Sequence, residues 1–445
     1  MKREIAVVGA GWAGLAAAVE ATTAGARVTL FEMAPQAGGR ARSVAADMVA
    51  ASEVADPATR LDNGQHICIG AYTETLRVMR QVGVSEHRAF VRMPLTLVDC
   101  RGFGLRLRAG PPLPAFVLAV LRRRGWHWRD RLALLRRASR WSRDGFRCDA
   151  SATVSQLCRG LSVAVQRDFI EPLCVAALNT PMTQASGSIF LRVLHDALTS
   201  GPGSADLLLP RLDLGAVFPE PALAWLRGEG AAVRLVTRVE RIEHVAGTAG
   251  GAWAVGGARF DGVVVAASAV EAARLVAAHA PHWSAQAAAL RYEPIVTVYA
   301  RSAGCHLPEP MLALAAGAES PAQFVIDRGQ LGGEEGLLAL VASGAAHWVE
   351  RGADVTAAAA LEQARIALGA HLHGPLELVR TIVEKRATFA CTPGLERPPA
   401  QISSGFFAAG DYVAGPYPAT LEGAVRSGVA AARATLAGLR SENSA

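Results

Sequence analysis

Ile5-Ala6-Val7-Val8-Gly9-Ala10-Gly11-Trp12-Ala13-Gly14 is followed by a run of small residues and then by Val28-Thr29-Leu30-Phe31-Glu32. The order predicts a buried strand, a glycine turn, a helix and a second strand ending in an acid. Each part has its own task in holding a dinucleotide. Gly9 permits the tight strand-to-helix turn, Gly11 lets the backbone approach a pyrophosphate, and Gly14 lets helix and sheet pack closely. The helix start offers free N–H groups and a positive dipole end to phosphates. A carboxylate at Glu32 accepts hydrogen bonds from ribose hydroxyls and repels a 2′-phosphate, which argues against NADP. Strand before, helix after and acid at the right spacing lift the pattern above an isolated glycine turn.

Two further segments bear on which dinucleotide is held. Gly38-Gly39-Arg40-Ala41-Arg42-Ser43 sets a second glycine pair and two arginines beside the same pyrophosphate. Far along the chain, Phe406-Phe407-Ala408-Ala409-Gly410-Asp411 reads as a buried strand ending in a glycine and an acid. A helix is expected from Pro418, a residue suited to a first helical position. Gly423, Ser427 and Ala431 form one row on it, with Ala424 and Gly428 beside them, so one side can approach cofactor or sheet closely. Its N-terminus suits a group on which negative charge builds.

The two ends together resemble the FAD-binding motifs of the flavin amine oxidase and phytoene desaturase superfamily. The resemblance implies an α/β fold: a Rossmann-like FAD-binding domain of glutathione-reductase type, interleaved with an α+β substrate domain. It implies FAD contacts at Gly9, Gly11, Trp12, Ala13, Gly14, Glu32, Gly39, Arg40, Arg42, Gly64 and Gln65. Val239 would meet adenine through its backbone, Gly410 and Asp411 the ribityl-phosphate part, and Thr420 and Leu421 the ring.

At 445 residues the chain suits two to three domains. Because both FAD pieces must meet, the middle has to leave the nucleotide domain and return. We expect FAD-binding segments at 1–100, 213–290 and 386–445. A mainly helical, substrate- and membrane-facing segment is expected at 101–212, and a substrate-side sheet with a helix at 291–385. Strands are expected over 232–242, 260–267, 294–300, 323–327, 337–341 and 379–385, with a short hairpin running on to Trp253 and a helix over 354–368.

Hydrophobic residues make up 51% of the chain, yet no run of about eighteen uncharged apolar residues predicts a membrane span. The first apolar run is the nucleotide strand itself, which argues against a secretory signal. Seven scattered cysteines without a CxxC fit a reducing cytoplasm better than a disulfide framework or a zinc site. His279 and His282, like His371 and His373, lack a metal-ligand spacing, so no metal is expected.

Net charge is +6, but it is unevenly spread: over 122–147, ten arginines face only Asp130 and Asp144. Leu134, Leu135, Ala138 and Trp141 fall on one helical face, and Arg136, Arg137, Arg140 and Arg143 occupy much of the rest. Together with the apolar run 111–121, this stretch suits peripheral contact with an anionic membrane through 111–147. An arginine-coated helix packed into its own domain would read the same way. Nucleic acid is not expected, since no reading module accompanies the charge.

Three middle segments narrow the family. They are Leu61-Asp62-Asn63-Gly64-Gln65-His66-Ile67-Cys68-Ile69-Gly70-Ala71-Tyr72, Glu171-Pro172-Leu173-Cys174-Val175-Ala176-Ala177-Leu178-Asn179-Thr180-Pro181, and Asp206-Leu207-Leu208-Leu209-Pro210-Arg211. They resemble the squalene-associated FAD-dependent desaturases, the hydroxysqualene dehydroxylase family. The resemblance implies reductive conversion of hydroxysqualene to squalene for bacterial hopanoid synthesis. It places such an enzyme in the cytoplasm against the inner membrane, with other squalene-pathway enzymes as partners. The hydroxyl is allylic, so protonation and departure leave a delocalised cation that accepts hydride from reduced flavin N5. That chemistry needs an acid, a dry apolar channel and negative potential. His66 is one candidate for the acid, because an ordinary imidazole exchanges protons near neutral pH; Asp62 capping a turn and His66 bonding backbone or flavin would read the same way. Asp62 would orient it or stabilise positive charge, and Tyr417 is a third candidate.

The alternatives are an FAD-dependent carotenoid-precursor desaturase, an amine oxidase, and an FAD-binding docking partner without turnover. Five tyrosines and two lysines weigh against the aromatic cage and flavin-side lysine common in amine oxidases. A desaturase shares both FAD motifs. No second glycine motif suits a nicotinamide, so the electron donor is not named by the sequence.

Overall fold

The computed structural model describes residues 2–45, 60–245 and 252–441. Glu4–Val8 lies inside a six-stranded sheet with the order Ala232–Arg234, Arg27–Phe31, Glu4–Val8, Gly262–Val265, Phe406–Ala408, Gln401–Ser403. The first five strands run parallel and the last is antiparallel. Ile5 to Val8 and Val263 to Val265 are buried without alternation. Strands covered on both faces read as such continuous apolar runs. The sheet therefore unites three distant stretches of chain.

Helices Trp12–Thr23 and Leu421–Ser441 pack together on this sheet. Small residues make the approach possible: a Cβ on Gly428 would lie 2.0 Å from the Ala13 carbonyl oxygen, and one on Gly14 would lie 1.9 Å from that of Gly9. The C-terminal helix starts at Leu421 rather than at Pro418. Thr420 Oγ1 accepts from the Gly423 N–H at 3.1 Å, the hydrogen bond of an N-cap, which leaves the proline in the approaching loop.

A second, antiparallel sheet has the order Met311–Ala313, Phe324–Asp327, Leu337–Ala342, Tyr292–Arg301, Glu377–Phe389. Alternation along its strands sorts two faces. Val296, Val298 and Leu340 pack under helix Ala353–Leu368. Tyr299, Met311, Phe324, Ile326 and Val341 turn the other way, toward Leu61, Leu207 and Leu209.

Helices Pro112–Arg122, Trp128–Arg143, Glu171–Leu178 and Gly187–Thr199 supply the third part. A π-helical turn, Gln166–Ile170, precedes Glu171–Leu178. The apolar face of Trp128–Arg143 differs from its expected role at a membrane. Leu134 and Trp141 are buried with Phe116, Val120 and Trp126, and Leu135 and Ala138 pack against the same cluster. Burial inside its own domain satisfies that face.

The strand expected over 232–242 stops at Arg234. Val236 takes φ +51°, its N–H donates to Ala34, and the Thr237 N–H donates to Glu32. The chain thus wraps the end of the second strand instead of extending the sheet. Ile242–Val245 and Ala252–Val255 pair as a hairpin, and its turn lies outside the described residues. No helix among the described residues is long and apolar enough to cross a membrane.

Candidate active site

A cavity of about 580 Å³ runs from the glycine turn to the inner face of the second sheet. Its first half is a backbone cradle. Gly9 takes φ +107°, and a Cβ there would sit 2.7 Å from the Ala266 carbonyl oxygen, so only glycine fits. Gly11 faces Gly39, and a Cβ on Gly11 would meet nothing nearer than Gly39 Cα at 4.0 Å. That gap belongs to the cavity wall, together with Trp12, Ala13 and Arg40. It is the space a diphosphate needs between two N–H-bearing loops. Glu32 lies along the wall, its carboxylate accepting from the Ala10 N–H at 2.7 Å and the Ala34 N–H at 2.8 Å. Thr237 and Val239 lie there too, and the Val239 carbonyl accepts from Arg274.

Gly64, Gln65, Gly410, Asp411, Thr420 and Leu421 line the same cavity. Two expected cofactor contacts do not. Gly14 lies behind the turn, where its lack of a side chain serves helix packing. Arg42 donates to the Gly39 carbonyl at 2.8 Å and braces the diglycine loop from outside the cavity. Arg40 is the cross-tie of the site: Nη2 reaches Asp411 Oδ1 at 2.5 Å and Nη1 donates to the Ala387 carbonyl at 2.8 Å.

The second half is walled by apolar side chains, among them Leu95, Leu97, Phe116, Phe169, Ile295, Phe324 and Val341. His66, one candidate for the acid, lines it. Its Nδ1 lies 3.0 Å from the Gly64 carbonyl. A carbonyl only accepts, so Nδ1 carries the hydrogen. Burial, with Arg40 nearby, holds the imidazole below its ordinary value against the opposing pull of Gly64 and Glu384.

Asp62 is also corrected. It does not line the cavity, and its carboxylate accepts from the Leu214 N–H at 2.8 Å and from Ser43 at 3.3 Å. It thus supports the start of the short helix Leu214–Val217. Burial pushes its carboxyl up to about 6, opposed by Arg328 and the Leu214 bond.

Tyr417 does line the cavity. Its hydroxyl oxygen accepts from Arg192 at 3.2 Å, and guanidinium groups of Arg192 and Arg426 lie 5.1 and 5.3 Å from its ring centre. Arg192 also pairs with Asp196 at 3.0 Å, and Asp196 meets His195 Nδ1 at 3.0 Å. The sequence reading missed this row on helix Gly187–Thr199; its only local signal was the Arg–Asp spacing of four. Asn179 and Thr388 were missed as well. Asn179 ends helix Glu171–Leu178 with φ +50°. Its Nδ2 donates to Thr388 Oγ1 at 2.9 Å, and its Oδ1 accepts from the Gly344 N–H at 2.6 Å. Both line the apolar half of the cavity.

Residues 12–436 match the family described as flavin containing amine oxidoreductase. The chain belongs to that family. It is an FAD-dependent oxidoreductase. The chain is 26% identical to the hydroxysqualene dehydroxylase of Sinorhizobium fredii over 97% of its own length and 98% of the other. It is 31% identical to the hydroxysqualene dehydroxylase of Zymomonas mobilis, a match covering 54% of this chain and 55% of that one. Among solved structures, an oxidoreductase from Methanosarcina mazei superposes with a TM-score of 0.70 at 14% identity, covering 96% of this chain and 99% of that one. That likeness concerns the fold. In this amine oxidoreductase family member, the glycine half of the cavity fits FAD.

Proposed function

We propose that the enzyme removes the allylic hydroxyl of hydroxysqualene and yields squalene, in the bacterial route to hopanoids. The observation that carries this reading is the continuity of the cavity, in which the FAD cradle opens directly onto a channel walled by aliphatic and aromatic side chains. Similarity to hydroxysqualene dehydroxylases along nearly the whole chain supports it. An amine substrate fits less well, since no lysine lines the cavity among the described residues.

The reaction consumes one proton and one hydride: the C–O bond breaks, water leaves and a C–H bond forms. FAD, when bound and reduced, supplies the hydride. Gly9, Gly11, Gly39 and Arg40 would hold its diphosphate, Glu32 its ribose, and Asp411, Thr420 and Leu421 the remainder. Tyr417 is our choice for the proton donor. Its oxygen already accepts from Arg192, so its O–H is free to point at the substrate hydroxyl. The two guanidinium groups beside it stabilise the negative charge left when that proton goes. The apolar wall excludes water that would otherwise capture the cation. Glu384, on the wall, supplies negative potential.

In this reading, 1–100, 213–290 and 386–445 form the FAD-binding domain and the intervening segments the substrate side. The enzyme works in the cytoplasm against the inner membrane. Anaerobic mixing of reduced protein with hydroxysqualene tests the function. Flavin reoxidation should accompany squalene formation; reoxidation without squalene would overturn the reading.

A further inference from the structure

Helix Pro112–Arg122 is apolar on two faces. Ala115, Phe116, Ala119 and Val120 are buried, and Phe116 lines the cavity beside Phe169, with ring centres 6.0 Å apart. On the outer side Leu113, Val117 and Leu121 are 41%, 38% and 50% exposed. Their spacing of four places them in one stripe. Trp128, 60% exposed, follows at the start of the next helix. Of thirteen large exposed hydrophobic residues among those described, four fall within these sixteen positions. Scattered apolar residues need no explanation, but a stripe does.

Within the stretch itself the charge has one sign. Residues 111–129 contain no acid, and Arg122, Arg124 and Arg129 are exposed at its end. The Arg129 guanidinium lies 5.5 Å from the centre of the Trp128 ring. An apolar stripe edged by arginines and a tryptophan complements the boundary between anionic headgroups and acyl chains. A second copy of the chain fits poorly, because a two-fold contact would set these arginines against themselves.

We infer that the outer face of helix Pro112–Arg122, with Trp128, docks the enzyme on an anionic bilayer, and that substrate enters from the bilayer past this helix. The entry step rests on the proposed hydrocarbon substrate; the docking does not. The helix is about 16 Å long and lies in the plane of the interface. Leu113, Val117 and Leu121 enter the acyl boundary while Phe116, on the buried side, faces the cavity. A substrate moving along this helix need not cross water. The apolar face of Trp128–Arg143, being internal, takes no part.

The test is sedimentation of FAD-loaded, full-length enzyme with vesicles of phosphatidylcholine alone or mixed with phosphatidylglycerol. The parent should bind the anionic vesicles. The triple variants Leu113→Ser, Val117→Ser, Leu121→Ser and Arg122→Gln, Arg124→Gln, Arg129→Gln should each lose at least about tenfold in partition with unchanged flavin content. Arg136→Gln, Arg140→Gln, Arg143→Gln should lose less than about twofold. With hydroxysqualene supplied in vesicles, the stripe variant should raise KM and leave kcat alone, and in detergent it should match the parent. A stripe variant that partitions like the parent overturns the docking. So does light scattering that shows the stripe holding a dimer together while vesicle binding is unchanged. If partition falls as stated but no squalene forms with any variant or the parent, docking stands and the substrate reading fails.

Discussion

The guanidinium of Arg40 meets the carboxylate of Asp411 at 2.5 Å although 371 positions separate them in sequence. Asp411 is only 8% exposed and Arg40 is 35% exposed. The pair fastens the diglycine loop to the strand end that precedes the C-terminal helix, and both residues line the cavity. Removing Arg40 leaves a buried carboxylate without its partner. Arg40→Ala should cost about 2 kcal/mol, less than a fully buried pair because the arginine is part-solvated. It should also lower flavin content per polypeptide, read from absorbance of the purified protein. Normal flavin content and melting temperature would remove Arg40 from the cradle.

Two glycines of one motif should behave differently. A Cβ at Gly14 would collide with the Gly9 carbonyl, whereas one at Gly11 has space on the cavity side. Gly14→Ala should destabilise even the cofactor-free protein, by about 3 kcal/mol or more. Gly11→Ala should leave the cofactor-free melting temperature nearly unchanged and weaken FAD binding at least about tenfold, because only the ligand's space is taken. Thermal melts with and without FAD distinguish the two.

The proton assignment separates His66 from Tyr417. Tyr417→Phe should slow squalene formation on the order of 10²-fold, the scale of a lost general acid. His66→Gln should change the rate by no more than about threefold and leave its pH profile in place. Single-turnover mixing of reduced enzyme with hydroxysqualene measures both. A large effect at His66 alone would restore the imidazole as acid.

Asp62 makes a prediction about stability and pH. Its folded carboxyl lies at about 6, against an ordinary 3.8, with burial as the main cause. Between these values the folded state binds more protons than the unfolded state, so this group's contribution falls as pH rises from about 4 to 6. Above that window the deficit is complete, on the order of 3 kcal/mol. Asp62→Asn keeps an acceptor for the Leu214 N–H and removes the titration. The variant's melting temperature relative to the parent should therefore be higher at pH 8 than at pH 4.5. A difference independent of pH would contradict the burial argument.

What the sequence made legible followed local rules. Gly9, Gly11 and Gly14 each answer to geometry within a few residues, and the strands expected over 294–300 and 337–341 fall within Tyr292–Arg301 and Leu337–Ala342. The misreadings concern what lies opposite a residue. Asp62 shares a segment with cavity-lining residues, but its carboxylate is claimed by Leu214, 152 positions away. His66 carries no local sign that burial holds its imidazole below the ordinary value. Periodicity correctly grouped Leu134, Leu135, Ala138 and Trp141, yet it could not say that Phe116 and Val120 cover them. Arg192 and Tyr417 meet across 225 positions with no motif to announce them.

The packing of Gly428 against Ala13 also has a consequence for synthesis. A ribosome makes the glycine turn long before it makes Asp411 or the helix that closes over Trp12–Thr23. Throughout that interval the parallel sheet lacks Phe406–Ala408, and the valines of Gly262–Val265 have an open neighbour position. The nascent chain therefore carries an unfinished cleft and a sticky strand edge, the kind of surface that chaperones recognise. With Asp411, Thr420 and Leu421 as the proposed FAD contacts, cofactor capture falls after these last elements emerge.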